Sequence, residues 1–334
     1  MKNDEGPMSP VAWLRLIFAT MLAMGVLCPP QALAQVPARF YWKTLSDANA
    51  VPLIVESISG NTNPFDPAHT VTPGAHFEAT LALPGYARTF SLFDRAAMAA
   101  ILVPMGRISG EVTVGGRTFT QSADGFGDPT LEFNINVLGP KAQKNIPDVL
   151  RYEPGVSVDL LADLMVPIGE YDSSQPLNIG QNRWYGRLGM PVIWQLGPWV
   201  PGRRTTLEFL PAVWFFGPND NYDGGKTLKT DPMFQLDAHL TRDFTETFWG
   251  ALDAAWYTGG QGNISGIQGE KLNNLGVGLT LGYQMNENLN LTFGYMSTLN
   301  DDAPGDLRMN KFMVTFVYGW HPLVEGMRRL KGEQ

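Results

Sequence analysis

Cysteine is all but missing from this chain: Cys28 is the only one in 334 residues. It lies ahead of Ala32-Leu33-Ala34, a small-x-small site at which a secretory leader would be cut. The mature chain therefore offers no disulfide framework, no thiolate nucleophile and no cysteine-based metal site. Histidine is nearly as scarce, with only His69, His76, His239 and His321. None stands close to a serine on one strand face, as an outer-membrane lipase would want. His69 and His76 have no carboxylate at zinc-ligand spacing.

Long apolar runs are lacking as well. Mean hydropathy is -0.10 and charged residues make up 17%. The one run that could pass for a membrane helix, Leu14 to Leu27, carries Arg15 and leads into Pro29-Pro30. It reads as the core of a signal peptide spanning residues 1–34. Leu27 before Cys28, where a lipoprotein signal wants a small residue, argues against a lipid anchor. The acidic start (Asp4, Glu5) is unusual for a leader and is compatible with translation from Met8. Basic stripes are absent too. The net charge is -8, and cleavage leaves it unchanged, because Lys2 and Arg15 depart together with Asp4 and Glu5. Such a chain is a poor partner for nucleic acid.

What the sequence has is alternation. Leu275, Val277, Leu279, Leu281 and Tyr283 oppose Gly276, Gly278, Thr280, Gly282 and Gln284. After an Asn/Glu turn, Leu289, Leu291, Phe293 and Tyr295 oppose Asn290, Thr292, Gly294 and Met296. Period two marks strands, and strands of about 9–11 residues with one apolar face match a tilted crossing of a bilayer. Similar segments run back to Val51 and forward to Trp320, and the count reaches twelve. The connectors from Val166 onward alternate long and short, as in barrels with short periplasmic turns and long outer loops. Gly139 to Gly155 breaks that rule by its length, and a small helix is expected there. A further short helix is expected in the run SLFDRAA. Aromatics near strand ends, Trp184, Trp194, Trp256 and Trp320 among them, suit interfacial girdles.

The expected fold is thus all-β: a transmembrane antiparallel up-and-down barrel of about twelve strands, of the outer-membrane type. Residues 35–50 would form a periplasmic arm or small plug, 51–320 the barrel and 321–334 a periplasmic tail. The expected inward set is Glu78, Glu132, Asp159, Asp163, Glu208, Asp237 and Asp253, with Arg187 and His239 as cationic partners. Such charges either line a pathway or pair to hold a narrow interior together. Leu161, Met165, Ile193, Leu210 and Trp214 share that face, so the interior is not a plain aqueous pore. Arg183, beside the turn-rich Asn178 to Asn182, is expected at the outer mouth. There it would meet Asp159 and Asp163 as a gate, or anchor the long loop by a salt bridge. GGKT (Gly224 to Thr227) fails as a phosphate loop, since Asp220 stands where a glycine is required. Asn219, Asn221 and Asp223 begin a calcium-loop pattern, but Thr230 replaces its final glutamate. No cofactor is expected.

Several stretches resemble one family: VPLIVESISGNTNP (51–64), ALPGYARTFSLFDRAAM (82–98), GFGDPTLEFNINVLG (125–139), NIGQNRW (178–184) and VWFF (213–216). They are similar to the bacterial outer-membrane proteins named for the MetA pathway of phenol degradation. The resemblance implies a Gram-negative outer-membrane barrel that passes small hydrophobic compounds, aromatic ones of the phenol type included, without an energy source. Its partners would be outer-membrane lipid, the solute and the membrane's assembly machinery. The alternative is a non-conducting structural or surface-interaction barrel; an enzyme is not expected. The chain departs from outer-membrane barrels in its tail, where HPLVEGMRRLKGEQ follows the aromatic Trp320 that would usually end it.

Overall fold

The computed structural model describes residues 36–299 and 305–331. The expected signal peptide lies outside them. One antiparallel sheet closes on itself through β1 (Asn49–Gly60), β2 (Ala75–Leu92), β3 (Arg95–Leu102), β6 (Thr130–Leu138), β7 (Val156–Met165) and the interrupted strand β8 (Tyr185–Gly189) with β9 (Val192–Gln195). It continues through β10 (Thr205–Phe216), β13 (Met233–Asp243), β14 (Phe248–Gly259), β17 (Leu272–Gln284), β18 (Leu289–Leu299) and β19 (Met309–Trp320). β19 pairs with β1 from Asn49↔Trp320 to Gly60↔Met309, which seals the seam. Counting β8 and β9 as one, the wall has the twelve strands expected.

The pleat sorts the side chains. Leu279 is 53% exposed on the outside, whereas its neighbour Thr280 is 4% exposed and points inward. The outer belt continues through Leu131, Phe133, Leu164, Leu188, Leu252 and Phe316, all exposed and apolar. An apolar girdle of that extent is what hydrocarbon covers. Glycines on the inner face let large neighbours lie flat. A Cβ at Gly282 would come within 2.0 Å of the Trp249 ring.

Three features differ from or extend the sequence reading. SLFDRAA is no helix: Phe93 and Asp94 both take positive φ, 53° and 63°, and make a tight two-residue hairpin turn between β2 and β3. Next, β2 does not stop at Pro84-Gly85. It runs on to Leu92, and between Ala82 and Gly85 it changes neighbours from β4 (Met105–Val114) to β3. β4 and β5 (Arg117–Phe126) form a hairpin that extends the wall at the long-loop end. Finally, the long connectors carry a small second sheet of β11 (Asn219–Tyr222), β12 (Lys226–Thr230), β15 (Gly262–Ile264) and β16 (Ile267–Gln268).

The helix expected between Gly139 and Gly155 is present as α1 (Ile146–Arg151), with the Asn145 side chain accepting from the Asp148 N–H at 3.0 Å. The tail carries α2 (Pro322–Lys331). It is tied back by His321 to the Ser46 carbonyl at 2.7 Å and by Arg328 donating to Asn288 at 3.2 Å. The interior holds two apolar clusters. The larger joins wall residues such as Met165, Trp214 and Tyr257 to loop residues Phe65, Leu177, Ile179 and Leu307. The smaller surrounds Tyr41 with Leu161, Ile193 and Leu210.

Candidate functional site in the barrel lumen

The inward positions of β6, β7, β8, β10, β13 and β14 form a belt of ionisable groups. Glu132, Asp159, Asp163, Arg187, Glu208, Asp237, His239 and Asp253 are all buried, as their alternation requires. Cross-strand register turns neighbours into partners. Asp163 sits opposite Arg187, whose Nε donates to it at 2.6 Å. His239 faces Asp253 at 2.7 Å, and the Thr280 hydroxyl donates to the other Asp253 oxygen at 2.6 Å. Gln235 donates to Asp237 at 2.8 Å while accepting from the Trp214 indole. Nearer the seam, Lys311 donates to Glu56 at 2.8 Å. Buried ions are tolerable only when so paired.

Residues 36–48 lie inside this belt and use much of what remains. The Arg39 N–H donates to Glu208 at 2.9 Å, and its guanidinium donates to Asp243 at 2.6 Å and to Thr241 at 3.2 Å. The same guanidinium lies between the rings of Trp42 and Trp249, 4.2 and 4.3 Å from their centroids. The Trp42 indole donates to Glu208 at 2.7 Å, and Lys43 donates to Asp159. Burial pulls the Lys43 ammonium below its ordinary range, while Asp159 pulls it back up. Tyr41 packs into the smaller apolar cluster. Sequence reasoning missed Arg39, Lys43 and Asp243. Only Asp243 left a signal, since the inward series Gln235, Asp237, His239 and Thr241 continues to it in steps of two.

Two expected lumen residues are elsewhere. Glu78 faces out, with its side chain 72% exposed beside His76. On β2 the apolar members Ala79 and Leu81 turn inward instead, because the β4–β5 hairpin and residues 61–74 supply them with a core containing Ile108 and Phe65. The outer face there carries His76, Glu78, Arg107 and Glu111. Charges of that kind are expelled from hydrocarbon, so this stretch stands clear of the membrane.

Arg183 does not meet Asp159 or Asp163 either. Its side chain is 0% exposed and donates to Asp66 at 3.0 Å and to Thr230 at 2.7 Å, over the ring of Phe216. It ties three connecting segments together through a buried ion pair and a hydrogen bond. Nearby, His69 is buried edge-on to the Tyr257 ring, and burial pushes its imidazole down to about 4. Trp184 points outward at the strand end, as a girdle residue would.

Above the larger cluster the connecting segments enclose a cavity of about 500 Å³. Phe77, Val112, Phe119, Leu177, Leu228 and Ile264 give it apolar walls, and Tyr171, Asn178, Gln181, Asn219 and Tyr222 give it polar ones. Asn219, the first residue of the calcium-like pattern, is spent on the Gln181 carbonyl and the Tyr171 hydroxyl. Among the described residues no group of three or more His, Cys, Asp or Glu is placed to hold a metal ion.

Closed sheet, apolar girdle and packed polar lumen define an outer-membrane type β-barrel. The chain belongs to the family described as "Putative MetA-pathway of phenol degradation", whose model matches residues 60–316. Its fold is similar to that of the COG4313 outer membrane channel from Pseudomonas putida F1, with a TM-score of 0.67 and 14% identity over 86% of this chain and 100% of that one. The transport unit of the Escherichia coli autotransporter AIDA-I (TM-score 0.48, 8% identity, 90% and 97% covered) is more remote. So is the P. putida toluene transporter TodX (0.34, 12%, 85% and 91%); these two likenesses are too distant to bear on the argument. No curated protein sequence matches.

Proposed function

We propose that this protein is a passive outer-membrane channel for small, mostly apolar solutes, aromatic compounds among them, and not an enzyme. In this reading residues 1–34 are a cleaved leader, and both ends of the barrel chain face the periplasm. The long connectors face outward, residues 36–48 plug the periplasmic half of the lumen, and residues 321–334 are a periplasmic tail. The chain would reach its place through the outer membrane's assembly machinery. One observation carries the solute class: apolar clusters occupy the lumen at both levels, and several of the charges between them are held in ion pairs, Asp163 by Arg187, Asp159 by Lys43 and Asp243 by Arg39. A porin for ions or sugars keeps a water-filled polar bore; a solute that replaces packed apolar side chains is itself apolar. The family and the likeness to a channel fold support the same reading.

The second reading, a non-conducting barrel, is favoured by the packing of that interior at both levels. Vesicles holding the purified protein separate the two. Arg39→Gln with Lys43→Gln frees the arm from Asp243 and Asp159, and uptake of an aromatic solute should then rise several-fold over the parent, with sugar permeation remaining slow. Vesicles in which parent and variant both stay at the protein-free rate would decide for the closed barrel.

A further inference from the structure

The cavity in the connecting segments is built for an occupant bulkier than one ring. An apolar cavity of about 150 Å³ suffices for benzene. Here about 500 Å³ is available, within the range of ligand pockets. Val112 and Phe119 are register partners on the β4–β5 hairpin, and both line the cavity. Phe119 is left largely exposed at its edge. The middle of this hairpin is fixed by the Gln121–Gln175 hydrogen bond, whereas a side chain added at its Gly115-Gly116 tip would stand in open space.

Polarity restricts the occupant further. No lysine or arginine lines the cavity, and its Asp66 is already held by Arg183 and Thr70. An anion would find no counter-charge. Most polar groups in the wall are committed to one another, as with Asn178 and Asn219. Two are not. The Gln181 amide makes only a 3.5 Å contact to the Ile179 carbonyl, and its oxygen accepts nothing among the described residues. The Tyr222 hydroxyl likewise has no partner there, and burial holds it neutral by raising it to about 12. One acceptor and one donor thus face the inner, mostly apolar part of the space.

We propose that this cavity is a binding site for a neutral molecule of two or three rings bearing one hydroxyl or carbonyl, held by Gln181 and Tyr222 and closed over by Phe119. In the uptake reading, on which its role rests, the site captures solute from outside before passage.

The full chain in lipid nanodiscs, with empty nanodiscs as the partition control, is titrated with 1-naphthol, naphthalene, phenol and 1-naphthoate. Saturable 1-naphthol binding is expected, with phenol and 1-naphthoate at least about tenfold weaker. Gln181→Leu should weaken 1-naphthol by about five- to tenfold, the loss of one neutral hydrogen bond, and leave naphthalene unchanged. Val112→Trp, which fills the space, should abolish binding of both. A folded Val112→Trp protein that binds as the parent does, or equal affinity for naphthol and naphthoate, would overturn the site. Vesicle uptake keeps the two proposals apart: binding with these dependences but no uptake removes the channel reading and keeps the site. Uptake of naphthol unaffected by either variant does the reverse.

Discussion

Arg183 offers the sharpest test of how the outer segments are held. Its guanidinium is fully enclosed and joins the 166–184 connector to Asp66 of the 61–74 segment and to Thr230 of β12. An exposed ion pair would contribute at most about 1 kcal/mol. A buried one is different: removing a single partner strands the other charge and costs about 3–5 kcal/mol. Arg183→Met keeps an unbranched side chain of similar reach below the Phe216 ring while leaving Asp66 with only Thr70 and the Ala68 N–H as hydrogen-bond donors. The wall should survive, since Arg183 precedes β8 and the ladders that close the sheet do not use it. The connecting segments should open instead. Where proteolysis follows the population of the open form, that loss corresponds to roughly 100-fold faster cleavage or more. The assay is limited proteolysis of protein that still runs as a heat-modifiable barrel on gels. Adding Asp66→Asn removes the stranded charge and should restore most of the resistance. Cleavage within a few-fold of the parent, or a double variant no better than the single, would refute the buried-pair account.

Two further outcomes are expected. Leu279→Arg puts a cation on the lipid face, at about 2–4 kcal/mol near the midplane, and should lower the yield of assembled barrel, whereas Leu279→Phe should not; equal yields would mean that this face does not meet hydrocarbon. His69 links stability to pH. Its folded value of about 4 lies below an unfolded value of about 6.5, so the unfolded form binds the proton first and stability is lost as pH falls from about 6.5 toward 4. The loss saturates near 3 kcal/mol, about 1.36 for each unit of difference. His69→Phe should therefore gain on the parent in proteolytic resistance at pH 4.5 relative to pH 8, and a pH-independent difference would exclude this linkage.

The strands announced themselves because a barrel wall has two solvents, and a period of two separates them in sequence. The hairpin of β17 and β18 could be read from its alternation alone. Alternation does not say which face is which, however. The sequence reading puts β2 in the wrong phase on the premise that carboxylates of a membrane strand turn inward, but at Glu78 the strand has not yet entered the membrane. The β4–β5 hairpin escaped notice because its polar outer face and glycines resemble loop. Eight of the ten expected mouth or lumen residues lie inside because charge burial is decided strand by strand. Their binding partners were hidden where they lie far away in the chain: Arg39 and Glu208 are 169 residues apart.

That separation fixes an order of events. The arm is near the start of the chain, yet Glu208 and Asp243, which hold Arg39, belong to strands made much later, and Asp159 holds Lys43 across 116 residues. Closing such long loops costs little in equilibrium terms, since each doubling of length adds only about 0.6 kcal/mol, but contacts so remote in sequence form slowly. The arm has no binding surface until β7, β10 and β13 stand side by side. The shell must therefore form before the arm can pack, and for an interval the arm's half of the lumen lacks its filling. Substitutions in the arm should therefore leave the number of barrels reaching the membrane unchanged and alter only how firmly that half of the lumen is filled.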